Sequence, residues 1–360
     1  MGILDVKAYR DEIARNASGM EILHGLTGKS VMISGATGMI GSYLIDLIQW
    51  ANRNQGLDCM VYALGRNPEK AQNRFGPYMG DNYFRFLPCG ITAPLDLPIS
   101  KVEYVIHAAS TTHPKAYASD PIGTVTANVL GLQNLLEFAS THGNERFAFL
   151  SSVEVYGENR GDVESFSEDY CGYINCNTLR AGYPESKRTG EALCQAYIRQ
   201  KGMNIVIPRL CRVFGPTLLP DDSKALSQFL RKGASGEDIV LKSEGKQFFS
   251  YAYVSDIVSG ILWCLFHGVN GEAYNVSNPD CDITLKELAQ TIAEICGTRV
   301  VFELPDAVEK AGYSTATRAI LDNRKLKALG WEPNTDLRQG LIHVIRSIRA
   351  MGLSQLFGFK

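Results

Sequence analysis

Residues 30–41 read SVMISGATGMIG, a short apolar run that leads into three glycines spaced three positions apart. A largely apolar segment continues to residue 50, so the expected order is buried strand, glycine-rich turn and helix. The stretch therefore predicts the first unit of an α/β fold, a Rossmann-type doubly wound parallel sheet that binds a dinucleotide. A tight turn between two buried elements is the alternative interpretation.

Glycines let the backbone approach a pyrophosphate, and the free N–H groups of a helix N-terminus favour an anion there. The residues predicted to contact the cofactor at this turn are Gly35, Thr37, Gly38, Met39, Ile40 and Gly41.

The end of the next apolar strand, residues 60–64, bears on which cofactor is bound. An acidic residue there would bind the ribose hydroxyls of NAD, but this chain has Arg66 after Gly65. A cation favours the 2′-phosphate of NADP, unless Arg66 stacks on adenine or faces solvent. The predicted cofactor is therefore NAD or NADP.

Two later strands are predicted to end at polar or small residues. Residues 102–107 are followed by Ala108, Ala109 and Ser110, which would let a cofactor ribose lie against the backbone. The strand at 147–150 runs into Ser152. Because ligands bind at the carboxyl ends of strands in open α/β sheets, Ser152 could hydrogen-bond a substrate oxygen.

Tyr183 and Lys187 lie four positions apart, one turn apart on the same face of a predicted helix. An ammonium group beside a phenol stabilises the phenolate, so we expect Lys187 to lower the pKa of Tyr183. Tyr183 could then act as a general base toward a sugar or alcohol hydroxyl. Such a pair also occurs by chance on solvated helix faces. The glycine turn, Ser152 and this pair in one order favour the catalytic interpretation.

Composition narrows the class of protein. The chain has 360 residues, of which 45% are hydrophobic and 21% charged, and a net charge of −2. These values are typical of a soluble globular protein and give no electrostatic case for nucleic acid or an anionic membrane. No apolar run approaches the ~20 residues of a membrane span, and no signal peptide is indicated. The nine cysteines are scattered, without Cys-x-x-Cys spacing. We therefore predict a cytoplasmic protein without a metal site, disulfides, or nucleic-acid or membrane partners.

The chain is expected to divide into three parts. Residues 1–29 are predicted to form an amphipathic N-terminal helical extension that packs on the core or on a partner subunit. Residues 30–208 would form the dinucleotide-binding domain, to which later segments return. Residues 209–350 would form mainly a smaller α/β C-terminal domain that binds substrate.

Several further stretches carry a family likeness: residues 107–110, 120–122 with Asn128, 151–157, 169–172, 180–188, 253–256 and 329–333. With the glycine turn and Tyr-x-x-x-Lys, they resemble the extended short-chain dehydrogenase/reductase family, the epimerases and dehydratases of sugar nucleotides. The match runs from about residue 30 to 345. Within the family, the chain is most similar to UDP-glucuronate decarboxylases.

The resemblance implies that Ser152, Tyr183 and Lys187 act together. A sugar C4 hydroxyl would lose its proton to Tyr183 while a tightly bound NAD or NADP oxidises C4, and Lys187 would also hold the nicotinamide ribose. Asn128 would be a further cofactor contact. A homodimer would form through a four-helix bundle built from residues 123–142 and 183–201. Candidate substrate contacts are Thr111, Arg180, Arg212, Lys224, Lys246 and Arg318.

Glu154 favours one reaction within the family. Similar dehydratases usually carry Asp-Glu where this chain has Val153 and Glu154, and a single carboxylate is too few for the usual elimination of water. A 4-keto sugar with a C5 carboxylate is a β-keto acid, which loses CO₂ readily. A salt bridge in the wall of the site is the alternative role for Glu154. Alternative functions are a 4-epimerase, a 4,6-dehydratase, an NADP-dependent reductase or a non-enzymatic NAD(P)-binding regulator.

Two positions depart from the decarboxylase pattern. Arg212 stands where an asparagine is usual, and Phe249 stands where an arginine that grips the substrate diphosphate is usual. Replacing a bidentate cation with an aromatic ring is a large change in anion binding. Either Lys246 or Arg212 compensates, or the substrate is held differently or is another nucleotide sugar.

Overall fold

The computed structural model describes residues 2–110, 119–219, 222–303 and 316–352. The strands within these ranges are β1 (Ser30–Ser34), β2 (Met60–Gly65), β3 (Phe84–Pro88), β4 (Tyr104–His107), β5 (Arg146–Phe149), β6 (Ser151–Ser152), β7 (Ile205–Leu210), β8 (Arg212–Phe214), β9 (Ile239–Leu241), β10 (Phe248–Phe249), β11 (Tyr251–Tyr253), β12 (Ala273–Val276), β13 (Ile283–Thr284), β14 (Val300–Phe302) and β15 (Arg318–Ala319).

Helices alternate with these strands along much of the chain. The described α-helices are α1 (Lys7–Gly19), α2 (Met39–Gln55), α3 (Pro68–Phe75), α4 (Pro121–Thr141), α5 (Gly182–Lys201), α6 (Ala225–Ala234), α7 (Val254–His267), α8 (Leu285–Cys296), α9 (Arg324–Lys327) and α10 (Leu337–Met351). None of those described is long and apolar enough to cross a membrane.

The central sheet is parallel and has the strand order β3-β2-β1-β4-β5-β7-β12, with β6 beside β7. The order reverses between β1 and β4, whose last residues Ser34 and His107 are paired. Crossovers of this kind leave a crevice at the carboxyl ends of the strands, where ligands bind. The predicted Rossmann-type sheet is therefore confirmed.

The two faces of the sheet pack into separate apolar cores. Val31 and Ile33 of β1 belong to one core and Met32 to the other, as expected because successive strand residues point to opposite faces. Helix α2 lies over the first face with α1 packed on it, while α4 and α5 pack on each other over the second. This arrangement makes the sheet doubly wound.

One strand was not anticipated from the sequence. Residues 68–100 are rich in Pro and Gly, which predicts one short helix and then a connection, yet residues 84–88 form the edge strand β3. Only Phe84 of this strand is buried. Arg85 and Pro88 interrupt its short apolar sequence, which made it look like part of the connection, so this part of the prediction was wrong.

The N-terminal extension packs on the core through α1, where Tyr9 and Ile13 are buried. The Tyr9 hydroxyl donates a hydrogen bond to Asp46 of α2. The buried Glu12 carboxylate accepts hydrogen bonds from Tyr43 of α2 at 2.9 Å and from Tyr253 of β11 at 2.7 Å. The extension thus bridges α2 and β11.

The later half of the chain contributes both to the central sheet and to smaller sheets. Strand β12 returns to the central sheet beside β7. Strands β8 and β11 pair, β9 and β14 pair, and β10 lies between β13 and β15. Part of residues 212–253 lies at the carboxyl edge of the central sheet. Together with the loops that follow the central strands, these residues line one cavity.

Candidate active site

The glycine turn after β1 packs so closely that two of its glycines leave no room for a side chain. Gly35 has a φ of +69°, and a Cβ atom there would lie 2.7 Å from the Ala108 carbonyl oxygen. A Cβ atom on Gly41 would lie 2.7 Å from the carbonyl oxygen of Gly35. The turn therefore packs closely against the loop that follows β4, and its first and third glycines pack against each other.

Helix α2 opens toward the cavity with its N-terminal N–H groups. Its N-cap is Gly38, which supplies no capping side chain, and its first turn holds no acidic residue. The first N–H groups of a helix need an acceptor, and the helix dipole favours an anion there. The residues present thus fit the pyrophosphate of a dinucleotide.

A single cavity of about 670 Å³ joins this turn to the predicted catalytic and substrate residues. The predicted site residues that line it are Gly35, Gly38, Met39, Ile40, Gly41, Ala108, Ser110, Ser152, Glu154, Arg180, Tyr183, Lys187, Arg212 and Lys224. The described ones that do not line it are Thr37, Arg66, Ala109, Asn128, Lys246 and Arg318. Thr111, predicted to bind substrate, lies outside the described residues.

Tyr183 lies in the first turn of α5 and is only 6% exposed. Burial raises the pKa of Tyr183 to about 12, and the charge of Glu154 adds to the rise. The side chains of Ser152, Arg180 and Ser110 oppose it, because they favour the phenolate.

The expectation that Lys187 lowers the pKa of Tyr183 is wrong for this structure. The Lys187 ammonium group donates to the Leu150 carbonyl at 2.8 Å and lies 4.8 Å from the centre of the Phe149 ring. Burial lowers the pKa of Lys187 itself to about 8, while the charge of Glu191 opposes that change. Sequence spacing predicts that the two side chains share a helix face, but burial decides their charge.

A half-buried ion pair lies one turn after Lys187 on α5. Glu191 accepts hydrogen bonds from Arg209 of β7, at 2.7 and 3.0 Å, and from the Ser151 hydroxyl at 2.6 Å. Sequence reasoning missed this network. The only sign of this network in the sequence is the position of Glu191, which lies four residues after Lys187 and so on the same helix face.

Asn128 organises the site from behind the cavity wall. The Ser110 hydroxyl donates to its side-chain oxygen at 2.8 Å, and its amide donates to the Ser186 hydroxyl at 2.9 Å. Ser186 in turn donates to the Tyr183 carbonyl at 2.8 Å. Asn128 therefore fixes the β4 loop relative to the first turn of α5.

Glu154 forms an ion pair with Arg180 beside Tyr183. One guanidinium nitrogen donates to both carboxylate oxygens, at 3.0 and 3.1 Å. The structure thus contains the salt bridge that was the alternative role for Glu154. Because both side chains also line the cavity, the pair remains able to contact a ligand.

The predicted substrate cations differ in their surroundings. Lys224 pairs with Asp222 at 3.6 Å inside the cavity, whereas Lys246 pairs with Glu244 on the surface. Arg318 donates to the Glu164 carbonyl at 2.8 Å, away from the cavity lining.

Comparison with known proteins agrees with this geometry. Residues 31–277 match the family model of the NAD dependent epimerase/dehydratase family. The chain belongs to this family.

Relatives and solved structures of the family extend over most of the chain. UDP-glucuronic acid decarboxylase 5 of Arabidopsis thaliana is 30% identical over 311 residues, which cover 86% of each chain. A UDP-glucuronic acid 4-epimerase of Bacillus cereus, solved with UDP-glucuronic acid and NAD, has a TM-score of 0.74 at 23% identity and covers 89% of this chain and 99% of that one. A dTDP-glucose 4,6-dehydratase of Streptomyces venezuelae, solved with NAD and TYD, has the same TM-score and identity, and covers 89% of this chain and 97% of that one.

This family member also brings side chains into the cavity that the sequence did not single out for chemistry. Gln247, Tyr251 and Lys242 also line the cavity. They lie on short strands and loops between residues 240 and 251, where the chain gives no periodic signal strong enough to orient a side chain.

Proposed function

We propose that the chain is a nucleotide-sugar-modifying enzyme that acts at C4 of the sugar and is most like UDP-glucuronate decarboxylase. The observation that carries the proposal is that Tyr183, Ser152 and Lys187 line one cavity, which is continuous with the glycine turn. The similarity to UDP-glucuronic acid decarboxylases over 86% of the chain supports the choice of substrate.

The cofactor is NAD or NADP, tightly bound at the glycine turn. Gly35, Gly38 and the first N–H groups of α2 would hold its pyrophosphate. When bound, it supplies a reversible two-electron oxidation of a carbon that bears a hydroxyl. The family's dependence on NAD favours NAD. Arg66, exposed at the end of β2, is the residue that would favour NADP.

Tyr183 is the proposed general base, because it lines the cavity and the side chains of Ser152 and Ser110 favour its phenolate. The pKa of Tyr183 must fall before it accepts a proton. The chain's own groups that favour the phenolate are these two hydroxyls and the Arg180 guanidinium. Ser152 would share its hydrogen bond with the sugar oxygen that Tyr183 deprotonates.

Glu154 would act beside the sugar C5, where Arg180 holds its carboxylate. A single carboxylate paired with a cation is poorly suited to the acid and base steps of dehydration. It is compatible with a reaction in which a β-keto acid loses CO₂ from C5. We therefore favour decarboxylation over dehydration.

The experiment incubates the full chain with NAD and UDP-glucuronate and weighs the product by mass spectrometry. A mass loss equal to CO₂ is expected; loss of water would indicate a dehydratase, and no change with a new sugar stereochemistry would indicate a 4-epimerase. UDP-glucose, which has no carboxylate to lose, is the control substrate. Stoichiometric consumption of NADPH would indicate a reductase.

A Tyr183→Phe variant is expected to lose roughly 10²–10⁴-fold in turnover, the usual contribution of a general base, while it still binds NAD. Full activity of this variant would remove the proposed mechanism. No turnover of any nucleotide sugar by the wild type, with NAD still bound, would favour a regulatory protein.

Three further proposals concern the whole chain. Residues 30–208 and 209–350 would be the cofactor and substrate domains. The protein would be cytoplasmic, which accords with the free state of its cysteines. It would form a homodimer through a four-helix bundle of α4 and α5, because α4 exposes the apolar side chains of Ile122, Val125 and Leu130.

A further inference from the structure

Arg212 and Phe249 form a stacked pair inside the cavity. The guanidinium carbon of Arg212 lies 3.5 Å from the centre of the Phe249 ring. Phe249, on β10, is buried, and Arg212, on β8, is half-buried. A guanidinium group stacked on an aromatic ring keeps its N–H donors in its own plane, where they remain able to bind an acceptor.

The donors of Arg212 have no acceptor among the described residues. Its Nη1 atom is buried and makes no hydrogen bond to the described part of the chain. The cavity's two carboxylates pair with other cations, Glu154 with Arg180 and Asp222 with Lys224. A buried donor without an acceptor disfavours the unliganded site, so an acceptor supplied by a ligand would favour binding.

The charge of the cavity fits the same kind of ligand. Five cationic side chains and the two carboxylates line it: Arg180, Lys187, Arg212, Lys224, Lys242, Glu154 and Asp222. This excess of cations favours a polyanion. Lys246, the other residue considered as a replacement for a cation at position 249, has a side chain that is 84% exposed and pairs with Glu244 outside the lining.

We propose that the Arg212–Phe249 stack is an oxyanion subsite: Phe249 holds the guanidinium plane, and the edge of Arg212 binds an oxyanion of the substrate. The proposal rests on the proposed function and deepens it. The ligand atom that Arg212 would bind is an anionic oxygen. It belongs either to the diphosphate of the nucleotide or to the carboxylate of the sugar. Arg212 is thus a substrate-binding residue, and Phe249 is a positioning residue that acts through it.

Calorimetric titration of the full chain, saturated with NAD so that the glycine turn is filled, tests the subsite. The probes are inorganic pyrophosphate, UDP, UDP-glucose and UDP-glucuronate. Arg212→Gln is expected to weaken binding roughly 10- to 100-fold, because a hydrogen-bonded charge pair is lost. Arg212→Lys keeps the charge but loses the planar fork of N–H donors. Its affinity for the probes should lie between those of the wild type and Arg212→Gln.

Phe249→Leu removes the ring but keeps an apolar side chain. It is expected to weaken binding roughly 3- to 10-fold, the size of a cation–π contact. The Arg212→Gln/Phe249→Leu double variant should bind no more weakly than Arg212→Gln alone, because Phe249 acts only through Arg212. A merely structural Phe249 would instead give additive losses, which would overturn its positioning role.

Arg299→Gln is the matched control, since Arg299 is exposed and pairs with Asp238 outside the cavity lining. Equal losses for pyrophosphate, UDP and both sugar nucleotides would support the subsite and assign it to the diphosphate. A loss confined to UDP-glucuronate would support it and assign it to the carboxylate. Unchanged affinity of folded Arg212→Gln for all four probes would overturn it.

The two proposals fail separately. If pyrophosphate binds in an Arg212-dependent way but no nucleotide uronate turns over, the subsite stands and the proposed function fails. If UDP-glucuronate is decarboxylated as well by Arg212→Gln as by the wild type, at substrate concentrations far below saturation, the function stands and the subsite fails.

Discussion

Lys187 is a cation that the fold buries at 3% exposure, with a backbone carbonyl and an aromatic ring as its near neighbours. Burial disfavours its charged form and lowers its pKa to about 8. Its charge is therefore present at neutral pH and lost within a range that enzymes tolerate. Lys187 thus becomes a titrating group of the site, which an ordinary surface lysine would not be.

Lys187 is expected to hold the nicotinamide ribose through its charged ammonium group. We expect turnover to fall as the pH rises through about 8, because Lys187 loses that charge there. The charge of Glu191 raises the pKa of Lys187, so Glu191→Gln should move the descending limb of the pH–rate profile to lower pH. Initial rates measured from pH 6 to pH 10 would check this.

The matched control for that profile is Glu294→Gln, which changes an exposed carboxylate paired with Arg338. Its profile should overlay that of the wild type. A descending limb that stays in place in Glu191→Gln would contradict the role given to Lys187.

Single residues also show what the sequence can and cannot predict. Tyr183, Ser152 and the glycine turn were predicted from motif order, because strand ends and helix faces follow from local patterns. The direction of the Tyr183 pKa shift was not predicted correctly, because it depends on burial by segments that are distant in the sequence. The Arg212–Phe249 stack joins β8 to β10, and the sequence does not specify how such short strands align.

The start of α2 is the element on which cofactor binding is proposed to depend. Gly41→Ala would favour the helix by its intrinsic propensity, but the new Cβ atom would meet the Gly35 carbonyl oxygen at 2.7 Å. Displacing the turn by that contact costs on the order of 1–3 kcal/mol. We therefore expect NAD affinity to fall roughly 10- to 100-fold, as measured by calorimetric titration.

Gly19→Ala at the end of α1 is the matched control, because no atom lies within 4 Å of its new Cβ position. It should leave NAD affinity unchanged. Equal NAD affinity of Gly41→Ala and the wild type would show that the turn does not hold the pyrophosphate.

Helix α4 presents an apolar face that a monomer would leave in water. Ile122 is 77% exposed and Leu130 is 44% exposed, and exposed patches of this kind mark interfaces. We expect the wild type to sediment as a dimer and the Ile122→Asp/Leu130→Asp variant as a monomer, because a buried unpaired carboxylate opposes association.

Val269→Asp is the control for that variant, since it adds a carboxylate at a residue that is 59% exposed outside α4. It should sediment as the wild type does. A dimer that survives both substitutions in α4 would place the interface elsewhere.

At the scale of the whole molecule, stability depends on a histidine buried between the two halves of the sheet. His107 is fully buried, its Nδ1 lies 2.7 Å from the Ser34 hydroxyl, and burial and the charge of Lys187 lower its pKa to about 3. The unfolded chain takes up a proton near pH 6.5, so between these two values the unfolded state binds more protons than the folded state. Stability is consequently lost as the pH falls below about 6.5.

At pH 5 the loss from this one group should be about 2 kcal/mol relative to pH 7, from 1.36 kcal/mol for each pH unit below 6.5. Urea unfolding at both pH values would measure it. His107→Asn should be less stable at pH 7 but should show a smaller difference between the two pH values. An identical pH dependence in variant and wild type would exclude His107 as the source.

The N-terminal extension has a practical consequence for recombinant production. The family match begins at residue 31, and a clone trimmed to that boundary would lack Tyr9 and Glu12. Asp46 would then lose one of its donors, and the hydroxyls of Tyr43 and Tyr253 would lose their shared acceptor. Such a fragment would expose an apolar surface and should collect in inclusion bodies, whereas a clone that starts at the first residue should yield soluble protein.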